Sequence, residues 1–336
     1  MINNKNIKSI LITRTDRLGD VILTLPLITA TKKVFRDSKI NFFVKEYVSE
    51  LLIGYKDIDE VITEESLKTF REKYRYFKHL DPDLVINVKP EFELALIFFM
   101  LRIKYRIGTG YRWFSFLYNY KVYEHRKVSD KHESDYNLNL LKNFFDEVNP
   151  GKEFFLKYSE VEKKTFAKKF SSYNTDLEDN YIIVHPGSGN SAKDLSPDKF
   201  REYVNKFLNK FNKYKIIFTG LENESPLIDN IIRSADKNSG SKIVDLSGKL
   251  NLRELMILID YSKLFISNST GPIHIAGAMN KSIIGFYPSE KPMSDTRWKP
   301  LSKHAVIFKP PDKFDMNMIN IDEVILATSE LLNTQK

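Results

Sequence analysis

Short apolar, β-branched runs alternate with helical patterns along most of this chain, and that alternation limits the folds open to it. In the first half the strand candidates are Ser9–Thr13, Ile40–Val44 and Leu84–Val88, with helical patterns at Val21–Phe35 and Phe92–Arg102. Strands separated by helices of this length indicate parallel βαβ units, because a parallel return requires a long crossover. The strands are apolar almost throughout and do not alternate with polar residues, as expected when helices cover both faces of an α/β sheet.

The same rhythm starts again in the second half. The strand candidates there are Tyr181–His185, Lys215–Thr219, Lys242–Leu246, Leu264–Ser267 and Ser282–Phe286. The helical patterns are Pro197–Phe211, Ser225–Ala235, Leu252–Tyr261 and Pro272–Met279. Turn formers and polar residues surround the helical pattern Val161–Phe170, so a linker is expected within 150–178. The sequence therefore predicts two Rossmann-like domains with parallel sheets, residues 1–170 and residues 178–336.

The composition limits the kinds of partner, site and cellular location that this chain can have. The 336 residues carry 52 Lys and Arg against 44 Asp and Glu, a net charge of +8 that favours anionic partners. The absence of cysteine excludes disulfides, thiolate metal sites and a cysteine nucleophile, and it fits a reducing compartment. The longest apolar stretch, Leu94 to Leu101, is far shorter than the ~20 residues that cross a bilayer. A soluble cytoplasmic chain is predicted, and peripheral contact with a membrane stays open.

The loop after the first strand is unusually rich in charge. It contains Arg14, Asp16, Arg17 and Asp20, and Gly19 permits a tight passage into the next helix. In open α/β sheets, ligands bind beyond the carboxyl ends of the strands, and a cleft between two such domains is the expected active site. Asp20 is then either a helix N-cap or a general base for a substrate hydroxyl. For the arginines, solvated surface pairing is the alternative to ligand binding.

The loop that opens the second half favours a phosphate. Gly187 to Ala192 fits the pattern G-x-G-x-x-A after a strand, but Pro186 and the late helix start argue against a dinucleotide site. What remains is two glycines, Ser188 and other polar side chains, and Lys193, which together offer amides, a hydroxyl and a cation to a phosphate. A flexible surface loop is the alternative.

Two further loops of the second half are candidates for the donor side. An acidic residue after the second strand of a nucleotide-binding fold holds ribose, and of Glu222 and Glu224 we favour Glu222 because Glu224 fits a helix cap. After the strand at Leu264, a helix begins near Pro272, and its free amides suit a diphosphate. The residues placed at this turn are Ser269, Thr270, Gly271 and His274. His274 is either part of the site or a buried histidine bonded to backbone. No histidine spacing indicates a metal, so no metal and no cofactor are expected.

Basic and aromatic residues are interleaved between Arg102 and Lys131. This stretch has eight Lys or Arg against two acidic residues, and it includes Arg112 and Lys121 as candidates for contact with an acceptor. Cations beside aromatic rings suit a phosphorylated glycolipid at a membrane surface. Nucleic acid is disfavoured because no recognition motif accompanies the charge. A buried aromatic face with a solvated basic rim is the other interpretation.

Taken in order, the motifs resemble glycosyltransferase family 9, the bacterial heptosyltransferase-like enzymes of lipopolysaccharide core synthesis. The similar elements are Ile-Leu-Ile-Thr-Arg-Thr-Asp-Arg-Leu-Gly-Asp from residue 10, the His-Pro-Gly-Ser-Gly loop with its lysine, Asp-Leu-Ser-Gly-Lys from residue 245, and Ser-Asn-Ser-Thr-Gly-Pro-Ile-His from residue 267. They span residues 10 to 286 and follow the family's order.

The resemblance implies a GT-B fold, in which two Rossmann-like domains face each other across a cleft and bind acceptor and donor respectively. Asp20 falls on the family's catalytic base, Lys193 on its donor-phosphate lysine, and Thr270-Gly271 on its donor-binding turn. The chain departs from the family by having Ser269 where an aspartate is usual, and Asp194-Leu195 where an aromatic residue is usual. The first departure removes a charge beside the donor and weakens the assignment of heptose.

The sequence thus predicts an inverting, metal-independent glycosyltransferase. It would move heptose or a related sugar from a nucleoside diphosphate to an anionic, lipid-linked core saccharide. A nucleotide-sugar epimerase of similar shape and a non-catalytic nucleotide-sugar or glycan-binding protein are the alternatives. A glycosidase is disfavoured, because no second carboxylate motif pairs with Asp20.

Overall fold

The chain folds into two compact units. The computed structural model describes residues 7–142, 144–145, 156–189, 193–233, 242–311 and 315–334. Unit 1 is Met1–Lys157 and unit 2 is Tyr158–Lys336. Each unit contains a six-stranded sheet in which all the pairings are parallel. The two Rossmann-like units predicted from the sequence are confirmed.

The sheet of unit 1 has the strand order β3-β2-β1-β4-β5-β6. Its strands are β1 Ser9–Thr13, β2 Lys39–Val44, β3 Glu60–Thr63, β4 Leu84–Asn87, β5 Tyr105–Thr109 and β6 Tyr120–Val122. The α-helices are α1 Leu18–Ile22, α2 Leu25–Val34, α3 Glu46–Ser49, α4 Phe70–Leu80, α5 Phe92–Met100 and α6 Glu133–Lys142. The order reverses between β1 and β4, which makes the carboxyl ends of these two strands the expected binding position.

The helical pattern predicted over Val21–Phe35 is divided in the structure. Helix α1 ends at Ile22 and α2 begins at Leu25, with Pro26 in its first turn. Proline lacks an N–H and is tolerated at the start of a helix but not in its interior, so Pro26 marks the second start. A buried cluster of Phe43, Phe77 and Phe98 then packs α4 and α5 onto one face of the sheet.

Unit 2 repeats the topology of unit 1, with the order β12-β11-β10-β7-β8-β9. Its strands are β7 Tyr181–His185, β8 Lys215–Phe218, β9 Ile243–Asp245, β10 Leu264–Asn268, β11 Ile283–Phe286 and β12 Ala305–Phe308. The α-helices are α7 Glu160–Ser171, α8 Pro197–Lys210, α9 Ser225–Ile232, α10 Leu252–Tyr261, α11 Gly271–Ala278, α12 Asp295–Trp298 and α13 Ile321–Asn333. The order reverses between β7 and β10.

Helix α7 packs within unit 2, although the sequence-based boundary at residue 170 assigned it to the first domain. Its Glu162 carboxylate accepts hydrogen bonds from Arg253 at 2.7 and 2.9 Å. Lys169 donates to both oxygens of Glu254 at 2.8 and 2.9 Å, and Tyr158 donates to Asp260 at 2.6 Å. These bonds fix α7, and Tyr158 just before it, against α10, because Arg253, Glu254 and Asp260 all belong to α10. Residues 146–155, the first part of the expected linker, lie outside the described residues.

Candidate active site

Polar side chains join the loops after β1 and β4 at the reversal point of unit 1. Thr13, the last residue of β1, donates a hydrogen bond to Asn87 at the end of β4 over 3.1 Å. Two residues further on, in the loop, the Thr15 hydroxyl donates to Glu91 at 2.6 Å, and Lys89 donates to the Thr15 carbonyl at 3.3 Å. The charged loop of residues 14–20 is therefore held at the position where this fold binds ligands.

The Arg14 guanidinium is the centre of a buried charge network. Its side chain is only 3% exposed, and Nε donates to Asp16 at 2.6 Å. Its terminal nitrogens donate to Glu133 at 3.1 and 3.2 Å, and one of them donates to Asp20. Burial lowers the pKa of Arg14, but Asp20, Asp16 and Glu133 outweigh that effect and raise it above its ordinary value. Arg14 is thus a permanent cation within the core, which rules out the solvated surface pairing considered for it.

Helix α6 supplies the groups that hold Arg14 in place. Glu133 is fully buried and, besides the two hydrogen bonds from Arg14, accepts one from Arg126 at 2.6 Å. Asn137, one turn later, accepts from Arg14 and Arg126 at 3.2 and 3.0 Å and donates to the Leu23 carbonyl at 3.0 Å. These residues were not singled out from the sequence. Glu133 lies 119 positions from Arg14, and no local pattern marks such a partner.

Asp20 lies inside α1 and is not its N-cap. The N-cap residue is Arg17, which makes no side-chain capping bond, and the Asp20 carboxylate pairs with Arg14 instead. Burial raises the pKa of Asp20 to about 6, Arg14 opposes this shift, and Asp16 and Glu133 add to it. The side chain remains 15% exposed. A partly accessible carboxylate with a pKa near the working pH is suited to accept a proton from a substrate hydroxyl.

The other acceptor-side candidates lie apart from this network. Arg17 is exposed at the start of α1, Arg112 is exposed in the loop after β5, and Lys121 is half-buried on the edge strand β6. Of the four basic candidates, Arg14 is the one that bonds Asp20 in the described part of the chain. The aromatic residues nearby divide between two environments: Phe114 and Tyr118 are buried, whereas Trp113 and Phe116 are 73% and 64% exposed.

In unit 2, one side chain joins the loops at the reversal point. Asn268, the last residue of β10, donates to the Pro186 carbonyl at 2.7 Å and accepts from the Leu195 amide at 2.9 Å. The loop after β7 is thereby tied to the start of α11. Asn268 is fully buried, and it was quoted in the sequence motif without being given a role. Its position at a strand end inside a polar motif was the available signal.

The glycine-rich loop after β7 rests on Glu224. The Glu224 carboxylate accepts from the Gly189 amide at 3.2 Å and from the Leu221 amide at 2.8 Å. A Cβ on Gly187 would lie 2.0 Å from a Glu224 oxygen, so a larger residue there would displace the Glu224 carboxylate from the loop. Glu222, which we favoured for a ribose, is exposed and lies against Gly248. Of the G-x-G-x-x-A pattern, residues 190–192 lie outside the described residues.

The described part of this loop contains Lys193 and the Ser188 hydroxyl, and the imidazole of His185 ends the strand before it. Lys193 donates to Glu290 at 2.7 Å while its side chain is 41% exposed, and Ser188 donates to Asp194 at 2.8 Å. Burial lowers the pKa of His185 to about 4 against the opposing effect of Glu224, so the ring is neutral at pH 7. Glu290 comes from a distant loop and was not anticipated.

The turn after β10 presents the start of a helix. Thr270 is the N-cap of α11 with no side-chain capping bond, and Gly271 and Pro272 form its first turn. The Ser269 amide donates to the Phe286 carbonyl at 3.1 Å. The first amides of a helix have no partner within the helix and point along its axis. His274 is buried one turn into the helix. This helix end and the loop held by Asn268 can together receive an anion.

The described residues contain no group of three or more His, Cys, Asp or Glu that could hold a metal ion. The helices of the same ranges are all too short or too polar to cross a lipid bilayer.

Comparison with known proteins identifies the family. The model of glycosyltransferase family 9 (heptosyltransferase) matches residues 74–317. Lipopolysaccharide heptosyltransferase 3 of Escherichia coli K12 is 22% identical over 94% of this chain and 95% of its own length.

Two solved structures share the fold. The family 9 glycosyl transferase from Veillonella parvula superposes with a TM-score of 0.85 at 21% identity, covering 97% of both chains. The ADP-heptose lps heptosyltransferase II of E. coli superposes with a TM-score of 0.80 at 19% identity, covering 98% of this chain and 99% of that one. The sequence-based resemblance and the GT-B assignment are confirmed. The chain belongs to glycosyltransferase family 9 and is a glycosyltransferase.

Proposed function

We propose that this protein transfers heptose or a related sugar from a nucleoside-diphosphate donor to an anionic, lipid-linked saccharide of the lipopolysaccharide core. The names of its relatives support the class of reaction: one is a lipopolysaccharide heptosyltransferase and another is a lipopolysaccharide heptosyltransferase that uses ADP-heptose. In this proposal unit 1 supplies the base and the acceptor contacts, and unit 2 binds the donor. The reaction would take place on the cytoplasmic side of the inner membrane.

The observation that carries the proposal is the environment of Asp20. Attack on the anomeric carbon requires removal of the proton from an acceptor hydroxyl, and a positioned carboxylate contributes roughly 10²–10⁴ in rate. With a pKa of about 6, Asp20 is mostly ionised at pH 7 and still basic enough to take a proton. Its pairing with Arg14 fixes the carboxylate in one orientation.

The donor diphosphate would bind at the reversal point of unit 2. As the sugar–phosphate bond breaks, the diphosphate gains negative charge and the sugar becomes oxocarbenium-like. Lys193, the Ser188 hydroxyl and the amides at the start of α11 are the groups available to stabilise that charge. Preorganised donors of this kind contribute about 2.7–4 kcal/mol each in other enzymes. Binding requires Lys193 to exchange Glu290 for a phosphate oxygen.

We further propose that the reaction inverts the anomeric centre and uses no metal. A single base that activates the acceptor for in-line attack on the face opposite the leaving group gives inversion. Cationic and amide donors can supply the stabilisation that a metal ion provides elsewhere. Treatment with a chelator should therefore leave turnover unchanged, and restoration of lost activity by added Mg²⁺ would contradict this part of the proposal.

The acceptor contacts are proposed from three cations of unit 1, two of them exposed and one half-buried. Arg17 is the N-cap of the helix that carries Asp20, Arg112 lies in the loop after β5, and Lys121 is on β6. Anionic groups of a core saccharide would pair with these side chains. Ser269 replaces a carboxylate that is usual in the family, so the donor sugar at this turn meets a neutral hydroxyl.

The proposal is tested by measuring nucleotide release from candidate donors, with and without a lipopolysaccharide core acceptor. Acceptor-dependent release is expected. Interconversion of the donor without acceptor would instead establish the epimerase, and tight donor binding without turnover would establish the binding protein.

Asp20→Asn is the key variant in that assay. Because the amide cannot accept the proton, we expect turnover to fall by at least about 100-fold while donor affinity changes little. Asp16→Asn is the matched control, since Asp16 also pairs with Arg14 but is not the proposed base. An equal loss of donor affinity and turnover in Asp20→Asn would show that Asp20 has a structural role only.

A further inference from the structure

One face of α5 is apolar and exposed to solvent. Phe92, Phe99 and Met100 are 41%, 46% and 50% exposed, and Leu96 between them is half-buried. Their spacing of three and four residues puts them on one side of the helix. The opposite side, with Leu94, Ile97 and Phe98, packs into the core of unit 1. Apart from Glu93 in its first turn, this helix is therefore apolar on all sides, which is unusual for a helix at a protein surface.

Two aromatic side chains extend this face. The Trp113 ring lies 4.7 Å from the Phe92 ring and is 73% exposed. Phe116, 64% exposed, belongs to the short turn at Ser115–Leu117 that contacts α5. We call Phe92, Leu96, Phe99, Met100, Trp113 and Phe116 the α5 surface. Contiguous exposed apolar surfaces of this kind usually mark a place where something binds.

Cations border the α5 surface at the end of the helix. A cavity of about 520 Å³ there is lined by Phe99, Met100, Arg102, Ile103, Lys104 and Arg106. Arg102 and Lys104 are exposed, whereas Arg106 is held by backbone carbonyls and by the Phe99 ring at 5.5 Å.

The carboxylates closest in sequence to this surface are engaged elsewhere. Glu93 pairs with Lys73 at 3.1 Å and Glu91 pairs with Lys89 at 2.6 Å. The border is therefore positively charged.

We propose that the α5 surface docks on an anionic lipid bilayer. Apolar side chains at the level of the acyl chains, with Arg and Lys beside them, form the arrangement that binds helices in the plane of a membrane interface. Self-association through the same surface is disfavoured, because a twofold contact would bring the cations of two copies together without carboxylates to neutralise them. This inference rests on the proposed function and deepens it. Docking on the bilayer would bring the enzyme to the membrane in which its lipid-linked acceptor is anchored.

The test measures binding of the full-length chain to vesicles of phosphatidylcholine, and to vesicles in which phosphatidylglycerol replaces part of that lipid. Neither contains saccharide, so the result does not depend on whether transfer occurs. Binding is expected to be strong only with the anionic lipid. Replacement of Arg102 and Lys104 by glutamine should weaken it about 25-fold, since each cation near an anionic surface contributes about fivefold. Replacement of Phe99 and Met100 by serine should weaken it by about tenfold or more.

Matched variants in unit 2 remove the same chemistry elsewhere. Lys164 and Lys168 are exposed on α7, and Val161 and Leu326 are 73% and 58% exposed. Their replacement by glutamine and serine, respectively, should leave vesicle binding unchanged. Equal loss in the control and α5 variants, or absence of binding to anionic vesicles, would overturn the inference. So would α5 variants that convert a dimer into a monomer in sedimentation velocity while vesicle binding persists.

Turnover separates this inference from the proposed function. With a deacylated, water-soluble acceptor, the α5 variants should retain wild-type turnover, and they should lose it only with acceptor embedded in vesicles. Thermal unfolding of each variant shows that it is folded. Reduced turnover of folded α5 variants on the soluble acceptor would instead assign the surface to saccharide binding and refute the bilayer as its occupant. If no acceptor supports transfer, the vesicle measurements still decide the inference.

Discussion

Replacing Asp20 by asparagine is expected to stabilise the fold at neutral pH, although it removes the proposed base. The pKa of the Asp20 carboxyl is raised from 3.8 to about 6 in the folded chain, chiefly by burial. The difference between these values corresponds to about 3 kcal/mol of unfolding free energy. Ionised Asp20 therefore opposes folding by up to that amount when the pH is well above 6.

The sign of the pH dependence follows from the same pair of values. The folded chain binds the Asp20 proton more tightly than the unfolded chain does, so protonation of Asp20 stabilises the fold. This stabilisation is complete below about pH 4 and is lost as the pH rises through 6. Asparagine stays neutral at every pH. Its advantage should grow from near zero at pH 4 to about 1–3 kcal/mol at pH 8. The lower bound allows for the loss of one partner of Arg14, which keeps Asp16 and Glu133.

Thermal unfolding followed by circular dichroism between pH 5 and pH 8 measures this effect. The melting temperature of Asp20→Asn should exceed that of the wild type by several degrees at pH 8, and by less at pH 5.

Asp59→Asn is the control with the opposite sign. Burial raises the pKa of Asp59, but the Ile40 amide and Lys32 outweigh burial and lower it below its usual value. That variant should be less stable than the wild type at pH 8. The difference should disappear as the pH falls below about 4, because the wild-type carboxyl is then protonated as well. If Asp20→Asn were destabilised equally at pH 5 and pH 8, the raised pKa of Asp20 would be refuted.

Two further predictions concern the donor side and have opposite signs. Lys193→Ala should weaken binding of a nucleoside diphosphate by about tenfold or more, since a charged hydrogen bond is lost. The control Lys199→Ala on α8 should not weaken it. If titration calorimetry shows unchanged affinity for Lys193→Ala, Lys193 does not bind the phosphate. Glu290→Gln should tighten the same binding by up to about fivefold, because Lys193 no longer has to leave a carboxylate. Exposed ion pairs of this kind contribute at most about 1 kcal/mol, which sets that limit. Weaker binding would show instead that Glu290 positions Lys193 for the phosphate.

The fold was largely predictable where strands are buried on both faces. Ser9–Thr13 and Tyr181–His185 were predicted with the bounds that the structure has, because a strand covered by helices on both sides is apolar at nearly every position. Two strands that were not predicted, Glu60–Thr63 and Ala305–Phe308, lie at sheet edges and are mostly half-buried. Polar residues interrupt the apolar pattern of the first, whereas the second is apolar but only four residues long, and so short a run is a weak signal.

The candidate site was predictable in its loops but not in its partners. Strand ends followed by glycine and charge indicated Asp20, Lys193 and the turn at Thr270, since ligands bind at that edge of the sheet. The groups that set the chemistry of these residues come from elsewhere in the chain. Glu133 reaches Arg14 from α6, and Glu290 reaches Lys193 across 97 positions, so their identity depends on tertiary packing that no local pattern encodes.

The two units share one topology, and the difference in their chemistry follows from what each places at the reversal point of its strands. In unit 1, two guanidinium groups face three carboxylates, which leaves one negative charge in excess, and that excess helps to keep the pKa of Asp20 high. Such a site accepts a proton more readily than it accepts a phosphate.

In unit 2, the reversal point carries the neutral amide of Asn268 at the end of β10, which satisfies one carbonyl and one amide of the neighbouring loop. No charge is buried there to neutralise the partial positive charge at the start of α11, among the residues described around Asn268. Introducing a carboxylate by Asn268→Asp would oppose a bound diphosphate at the position where the fold otherwise attracts it. Under the proposed function, the same strand order therefore holds a base in one unit and an anion site in the other, and the charge of a few buried side chains makes the difference.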